Sequence, residues 1–272
     1  MAGRVEGKVA IVTGAGSSAD VEGVGIGQAI ATVLVREGAT VLLVDKDPAR
    51  AQNTIDSYGD LPGKGVVFEA DVTSKADCEA MVAAAVEQFG GLDILVNNAA
   101  ISRHYPITAT PDEEYDAILN INLKGSFQAS GAAIPALIER GGGSIIMIGS
   151  VAGVRDSGVT HPAYCASKAG QLGLMLDLAG EYGRQNVRVN AVLPGMVRSP
   201  MQASVSGGGL TEDHARRLNM LGRMGDAWDV AHGVLYLCTD EASYVTAHVL
   251  PTDGGATQTM PGSAGRADRM PA

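Results

Sequence analysis

The sequence predicts an α/β fold built on a doubly wound parallel sheet, and three observations favour it. Short apolar runs, of which Lys8–Thr13 is the first, have the nearly continuous hydrophobic character of strands buried on both faces. Segments of helical length alternate with these runs along the chain. A glycine-rich turn joins the first run to the first helix, an arrangement that is typical of nucleotide-binding sheets.

Composition and charge limit the classes of function. The chain has 272 residues, of which 46% are hydrophobic, enough to build the core of one domain. A net charge of −10 argues against nucleic acid or a membrane surface as partner. Three cysteines without C-x-x-C spacing indicate neither a disulfide framework nor a metal site. The apolar runs are shorter than a membrane span, and residues 1–8 lack a signal peptide's apolar region, so we expect a cytoplasmic protein.

The alternation of strands and helices can be followed through the chain. After the first run, strands are predicted at Thr40–Val44, Gly65–Glu69, Leu92–Val96, Ser144–Ile148, Val187–Val192 and His248–Pro251. Helices are predicted at Gln28–Arg36, from Pro48, at Ser74–Phe89 with Ser74 as N-cap, at Asp112–Arg140 with interruptions at Gly125 and Gly131, from His161-Pro162 to about Tyr182 and at Asp226–Cys238. Residues 199–224 are predicted to be a loop with one short helix. Residues 1–256 then form one domain, and the small and polar residues 257–272 form a flexible tail.

The glycine-rich turn predicts a phosphate site. Gly14 and Gly16 follow the first strand, and Gly25-Ile26-Gly27 opens the next helix after a gap. Glycines let the backbone approach a pyrophosphate, and the free N–H groups at the helix start bind its charge.

Asp45 stands at the end of the second strand, 20 residues beyond Gly25. In dinucleotide folds a carboxylate at this position accepts hydrogen bonds from the adenosine ribose. A second interpretation is that Asp45 caps the helix that begins near Pro48. The spacing favours the first role and leaves the second open.

Tyr164 and Lys168 are four residues apart on the helix predicted from His161-Pro162 to about Tyr182 and therefore lie on one face of it. A free tyrosine has a pKa of about 10 and is a poor base near pH 7. An ammonium group within roughly 4–6 Å favours the phenolate. Lys168 is therefore expected to lower the pKa of Tyr164 and make it an acid/base, although a tyrosine beside a solvated lysine has the same spacing.

Further motifs occur at the ends of the predicted elements. They are Thr13-Gly14 with Gly25-x-Gly27, Asp71-Val72, Asn97-Asn98-Ala99, Asn122, Ser150, Tyr164-x-x-x-Lys168, Pro194-Gly195 and Asp253-Gly254-Gly255. On these motifs the chain resembles the short-chain dehydrogenases/reductases from Lys8 to about Gly255. The resemblance implies a single-domain Rossmann-type fold and hydride transfer between a secondary alcohol or ketone and a nicotinamide cofactor.

The resemblance also implies a catalytic set of four residues, Asn122, Ser150, Tyr164 and Lys168. Tyr164 would exchange the alcohol proton, and Lys168 would reach the nicotinamide ribose. Ser150 would donate a hydrogen bond to the substrate oxygen, and Asn122 would widen its helix and hold a water that links Lys168 to solvent. The implied cofactor contacts are Gly14, Gly25, Ile26, Gly27, Asp45, Asp71, Val72, Asn98, Ala99, Tyr164, Lys168, Pro194, Gly195, Val197 and Ser199.

Three departures from the family pattern occur. Residues 17–24 separate glycines that the family keeps close together, Ala100 replaces a glycine, and Ser199 replaces the usual threonine but keeps its hydroxyl. The substrate pocket is expected after Ala100, with Ser102 and His104, and in residues 151–156 and 196–221.

Asp45 favours NAD(H) over NADP(H), because a carboxylate repels the extra 2′-phosphate. The alternative is an NADPH-dependent reductase of carrier-linked 3-oxoacyl chains. Such an enzyme would prefer a basic side chain at the position of Asp45, and Lys46 is the one feature of the sequence that favours it. A non-catalytic NAD-binding regulator would be expected to lack one of the four catalytic residues. The resemblance further implies a homotetramer, with Asp226–Cys238 and the last strand at an interface.

Overall fold

A parallel sheet of seven strands lies at the centre of the molecule. The computed structural model describes residues 3–17, 23–205 and 211–259. The strands are β1 Val9–Thr13, β2 Thr40–Asp45, β3 Lys64–Glu69, β4 Ile94–Asn97, β5 Gly143–Ile148, β6 Val187–Pro194, β7 Val197–Arg198, β8 Gly225–Asp226 and β9 Val249–Thr252. The two-residue strands β7 and β8 form a separate ladder.

The order of strands in the large sheet is β3-β2-β1-β4-β5-β6-β9, and all of its pairings are parallel. The chain moves outward in one direction from β1 to β3 and then returns to add β4 on the other side of β1. This reversal is the switch point at which doubly wound sheets bind ligands, beyond the carboxyl ends of the strands. The predicted fold class is confirmed.

Helices cover both faces of the sheet. They are α1 Ile26–Arg36, α2 Pro48–Asp56, α3 Lys75–Phe89, α4 Asp112–Leu119, α5 Gly125–Glu139, α6 Pro162–Tyr182, α7 Pro200–Val205, α8 Glu212–Leu218 and α9 Ala227–Cys238. Alternate residues of β1 point into two cores: Ala10 and Val12 pack with α1, α2 and α9, whereas Val9 and Ile11 pack with α3, α5 and α6. Strands buried on both faces explain the unbroken apolar runs in the sequence.

The predicted long helix is divided by a π turn. Residues Asn120–Lys124 form this turn between α4 and α5, so the interruption falls directly before Gly125. Gly131 does not interrupt α5, because a glycine inside a helix lowers its stability without breaking its hydrogen bonds. Ser74 caps α3 as predicted, its hydroxyl accepting a hydrogen bond from the Asp77 amide at 3.2 Å.

The remaining differences are at loops and ends. The region between Ser199 and Met224 holds two short helices, α7 and α8, where one was predicted. A short 3₁₀ helix, Ala256–Gln258, follows β9, and the Thr257 amide donates to the Asp253 carboxylate at 2.6 Å. The remainder of the predicted tail, 260–272, lies outside the described residues. Over the described ranges, the helices lack the combination of length and apolar character that crossing a bilayer requires.

Candidate active site

The motif residues meet at one edge of the sheet. Gly14 follows β1, Asp45 ends β2, Asn98 follows β4, Ser150 follows β5, and Gly195 follows β6. Because all these strands are parallel, their carboxyl ends lie along the same edge. The structure thus brings together residues that are up to 181 positions apart in the sequence.

The glycine loop packs directly against the start of α1. A Cβ atom on Gly27 would fall inside the contact distance of the Gly14 carbonyl oxygen and of Asn98 Nδ2, so this crossing requires a glycine. Asn98 fixes the loop from the other side, because its Nδ2 donates to the carbonyl oxygens of Thr13 and Gly14, both at 2.9 Å. The Ala99 amide donates to Thr13 Oγ1 at 3.1 Å.

The start of α1 fits the pyrophosphate of a dinucleotide. Gly25 is the N-cap and carries no side chain that could cover the first turn, and Ile26 is the first residue of the helix. Among the described residues, a Cβ atom on Gly25 would meet its nearest neighbours only at 4.0 Å. The Gly25 amide donates to Gln28 Oε1 at 3.3 Å, and no N-cap side chain accepts from the amides of the first turn, which are the groups that form an anion site at a helix start.

Asp45 braces the glycine loop. Its Oδ2 accepts a hydrogen bond from the Gly16 amide at 3.0 Å, and its Oδ1 accepts one from the Asp47 amide at 3.1 Å. The N-cap of α2 is Asp47, whose carboxylate accepts from the Ala49 amide. The interpretation of Asp45 as the cap of this helix is therefore wrong, since Asp47 is the N-cap and Asp45 bonds to the Gly16 and Asp47 amides.

Asp71 and Val72 lie beyond β3. The exposed Asp71 accepts from the amide and the hydroxyl of Thr73, both at 2.8 Å, which closes a tight turn. Val72 is buried, and a Cβ atom on Gly125 would strike it, so the start of α5 packs closely on this turn.

Pro194, Gly195, Val197 and Ser199 follow the end of β6. A Cβ atom on Gly195 would approach Asp253 Cα at 2.7 Å, so the chain after β6 crosses close to the segment after β9. Val197 is buried in β7, and Ser199 Oγ accepts from the Gln202 amide in α7 at 3.3 Å. These residues therefore fix the base of the segment that carries α7 and α8.

Helix α6 carries the tyrosine and the lysine. Pro162 at its first turn and the predicted span to Tyr182 are confirmed. Lys168 Nζ lies 5.6 Å from the centre of the Tyr164 ring, so the predicted pair is on one helix face. Ser150, which follows β5, is near enough to Tyr164 for its hydroxyl to lower the pKa of the phenol.

The expected effect of Lys168 on Tyr164 is wrong for this structure. Burial raises the pKa of Tyr164 to about 12, and the nearby Ser150 hydroxyl opposes this rise only in part. Burial also lowers the pKa of Lys168 to about 7. The reason is that both groups are removed from water, which disfavours the phenolate and the ammonium alike.

Asn122 lies at the centre of the π turn and is fully buried. Its Oδ1 accepts from the Ile101 amide at 2.9 Å, and its Nδ2 donates to the Ile101 carbonyl and to Ser167 Oγ, both at 3.0 Å. The side chain thereby ties the segment after β4 to α6. The widened helix that the resemblance implied at Asn122 is present.

Sequence reasoning missed Gln171, which is fully buried beside Lys168. Lys168 Nζ donates to the Ile148 carbonyl at 2.7 Å and to Gln171 Oε1 at 3.1 Å. Gln171 Nε2 in turn donates to the Asn122 carbonyl at 2.9 Å. The available signal was a polar residue three positions after Lys168, on the same helix face and within an otherwise apolar stretch.

Sequence reasoning also missed His161, the N-cap residue of α6. Its ring centre lies 5.0 Å from that of Tyr164 and 5.2 Å from that of His104, which was predicted to line the pocket. Its Nε2 is 2.9 Å from Ser157 Oγ. Burial lowers the pKa of both imidazoles, so they form a mainly neutral wall beside Tyr164 near pH 7.

Comparisons with known proteins show the family to which the chain is similar. A family model described as enoyl-(acyl carrier protein) reductase matches residues 22–257. The 3-oxoacyl-(acyl-carrier-protein) reductase of Thermotoga maritima is 37% identical over 257 residues, covering 93% of this chain and 98% of the relative. The 2-(S)-hydroxypropyl-CoM dehydrogenase 3 of Xanthobacter autotrophicus is 39% identical over 264 residues, covering 94% and 99%.

A solved structure shows the same fold. It is a 7α-hydroxysteroid dehydrogenase in complex with NADH and 7-oxo glycochenodeoxycholic acid, with a TM-score of 0.85, 30% identity, and coverage of 94% of this chain and 96% of that one. The chain belongs to the short-chain dehydrogenase/reductase family, whose members are oxidoreductases that use a nicotinamide cofactor. Over the part of the chain that the structure describes, no three His, Cys, Asp or Glu side chains group as metal ligands.

Proposed function

We propose that this protein is an NAD(H)-dependent oxidoreductase that interconverts a secondary alcohol and a ketone. The observation that carries the proposal is that Tyr164 lies beside Ser150 and the buried Lys168, on the sheet edge that also holds the glycine loop. An acid/base, a donor for the substrate oxygen and an open helix N-terminus are the parts that hydride transfer needs.

Each residue has a separate task in this mechanism. The bound nicotinamide would accept or give the hydride. Tyr164 would take the hydroxyl proton of the alcohol, or return it to the ketone oxygen. Ser150 would donate a hydrogen bond to that same oxygen while charge develops on it. Because burial raises the pKa of Tyr164 to about 12, the phenol is protonated near pH 7 and suited to give a proton in the reduction of a ketone.

Lys168 and Asn122 would act through Tyr164 and through the position of α6. A protonated Lys168 would stabilise the phenolate that forms when Tyr164 gives up its proton. Asn122 would hold α6 and the segment after β4 at a fixed separation through its bonds to Ser167 and Ile101.

Asp45 supports NAD(H) as the working cofactor. Its carboxylate is fixed by the Gly16 amide next to the phosphate site, where it would accept from an unmodified ribose. A 2′-phosphate about 5 Å away would meet repulsion of roughly 3 kcal/mol per charge pair at an effective dielectric constant of about 20. Asp20 and Glu22, which have the same sign, lie outside the described residues.

Steady-state kinetics would test both parts of the proposal. Secondary and cyclic alcohols, hydroxysteroids and hydroxyacyl thioesters would be offered with NAD⁺ or NADP⁺, and kcat/KM compared on one substrate. We expect NAD⁺ to be preferred about a hundredfold, which corresponds to roughly 3 kcal/mol. Asp45→Ala or Asp45→Arg should narrow or reverse this preference. Asp47→Asn, which removes a neighbouring charge, is the matched control, and an NADP⁺ value equal to the NAD⁺ value in the unmutated protein would refute the cofactor assignment.

The second candidate is a reductase of carrier-linked 3-oxoacyl chains. It is favoured by the similarity to the Thermotoga maritima enzyme and by the matched family model. It would require a basic cofactor contact, for which Lys46, exposed next to Asp45, and Arg50, whose Cβ lies beside Gly16, are candidate side chains. Higher kcat/KM for 3-oxoacyl thioesters with NADPH than for any alcohol with NAD⁺ would select this candidate.

We also propose a cytoplasmic homotetramer. A tetramer with twofold symmetry needs two different self-complementary surfaces. One candidate surface includes the outer edge of β9, which pairs with β6 on its other side, and the fully exposed Tyr244. The other includes the exposed Tyr115 of α4 and Phe127 of α5. The three cysteines are free thiols, which suits a reducing compartment.

A further inference from the structure

Gln171 makes hydrogen bonds on both sides of its amide group. It lies one turn after Lys168 on α6 and is fully buried. Its Oε1 accepts from Lys168 Nζ at 3.1 Å. Its Nε2 donates to the Asn122 carbonyl at 2.9 Å and to Ser126 Oγ at 2.7 Å.

The chemistry of the partners fixes the orientation of this amide. A lysine ammonium can only donate, so the atom that faces it must be the amide oxygen. A backbone carbonyl can only accept, so the atom that faces Asn122 must be the amide nitrogen. Exchanging the two atoms would break both bonds, which leaves a single arrangement.

The carbonyl of Asn122 is already used by protein groups. It accepts from Gln171 Nε2 and from Ser126 Oγ, the latter at 2.8 Å. A carbonyl oxygen has two lone pairs, and both are occupied here. In this chain the link between Lys168 and the π turn is therefore an amide side chain, at the place where the family resemblance implies a water.

We propose that Gln171 is a positioning residue for the proposed hydride transfer, which clamps the Lys168 ammonium between the π turn and Tyr164. The inference rests on the proposed function for its catalytic meaning, and on the observed network for its geometry. Lys168 donates to Ile148 and Gln171, so two of its three N–H groups are held by the protein. The third is left to act beside Tyr164.

The clamp opposes the effect of burial on Lys168. Burial lowers the pKa of Lys168, and Gln171 Oε1 is a neutral acceptor that lies 3.1 Å from its Nζ. Tyr164 is the titratable side chain that packs against it, and it is neutral near pH 7. An acceptor such as Gln171 Oε1 favours the charged form of an amine. Removing this acceptor should therefore lower the pKa of Lys168 further.

Two variants of Gln171 separate the proposal from a merely structural role. Gln171→Leu keeps a similar volume and removes the acceptor, whereas Gln171→Glu places a carboxylate beside the ammonium. The matched control is Asn190→Leu. Asn190 lies on β6 and is also a fully buried amide, and it bonds to the Val245 carbonyl and the His248 amide. The first readout is the titration midpoint of Lys168, followed by NMR of 13C-labelled lysine side chains and identified by its loss in Lys168→Met.

We expect Gln171→Leu to lower this midpoint by about one pH unit and Gln171→Glu to raise it by a similar amount, since a hydrogen bond to a charged group has that strength. The alkaline limb of the kcat/KM profile should move in the same direction, and Asn190→Leu should move neither. If Gln171→Leu does not fold, the titration midpoint of Lys168 in Gln171→Glu still tests the proposal.

Midpoints of both variants within 0.3 unit of the unmutated protein, a margin taken as roughly a quarter of the expected shift, would overturn the proposal. Because NMR needs no turnover, a lack of activity with every substrate would count against the proposed function alone. A shifted midpoint with an unshifted kcat/KM profile would refute the positioning role.

Discussion

Burial of Lys168 has a consequence for stability that can be measured without any substrate. The group is only 2% exposed, and its pKa falls from 10.5 to about 7 on folding. Between these values the unfolded chain binds a proton that the folded protein lacks, so stability rises with pH. Below pH 7 both states are protonated, and the full cost of the buried charge remains.

The perturbation that isolates this effect is Lys168→Met, which keeps the length of the side chain and removes its charge. It also deprives the Ile148 carbonyl and Gln171 Oε1 of their donor. That loss costs about 1–3 kcal/mol for each buried acceptor, but it does not depend on pH. The loss of these hydrogen bonds therefore lowers the stability of the variant by the same amount at every pH and does not change the slope of stability against pH.

The expected magnitude follows from the shift in pKa. Each pH unit within the window contributes about 1.4 kcal/mol, so the advantage of the unmutated protein should grow by roughly 4 kcal/mol from pH 7 to pH 10. Urea unfolding at one-unit intervals would give both curves, and other titrating groups cancel in their difference. Keeping the measurements below pH 10 avoids the ionisation of unfolded tyrosines, which would reduce stability as the pH approaches 12.

A difference that stays constant within about 0.5 kcal/mol over this range would contradict the reasoning, because it would mean that Lys168 keeps its ordinary pKa in the folded protein. The matched polar control is Lys46→Met, which removes an exposed lysine on the loop after β2 and should produce no slope.

Three further predictions concern turnover, the glycine loop and assembly. Tyr164→Phe should reduce kcat by 10²–10⁴-fold while NAD⁺ binding, measured by calorimetry, is retained, since only the proton-transfer group is lost; more than a tenth of the kcat remaining would contradict the assignment. Gly27→Ala should destabilise the fold by about 1–3 kcal/mol and weaken NAD⁺ binding, because the new Cβ would meet the Gly14 carbonyl. Gly131→Ala, whose Cβ would meet no described residue within 4 Å, should stabilise α5. Equal effects of the two substitutions in thermal unfolding would count against the packing argument. Light scattering at micromolar concentration should give the mass of four 27.8 kDa chains, and a monomer would exclude the tetramer.

Most of the fold could be predicted because its signals are local. The runs that became β1, β2 and β5 are apolar at every inner position, and such runs are favourable only when both faces of a strand are covered. The start of α6 at Pro162 and the cap of α3 at Ser74 follow from residue types that satisfy free backbone groups. The extra helix between Ser199 and Met224 was missed, because short helices depend on packing more than on propensity.

The candidate site was predictable as a set of residues and less so as a set of contacts. Asp45 was correctly placed at the end of β2, but its direction depends on the Gly16 amide, 29 positions earlier in the chain. The cap that Asp45 was thought to provide belongs to Asp47. The local signal for this cap was Asp47 directly before Pro48, since proline is favoured at the first helical position and aspartate at the N-cap.

The sequence by itself determined that Tyr164 and Lys168 share a helix face, since four residues advance an α-helix by about one turn. Only the tertiary structure decided their protonation, because the pKa of each depends on how completely other elements exclude water. It also decided that Gln171 joins Lys168 to Asn122, a connection across 49 positions that forms only when α6 packs on the π turn. Spacing along one helix is fixed by covalent geometry, whereas electrostatic environment is fixed by everything that packs around it.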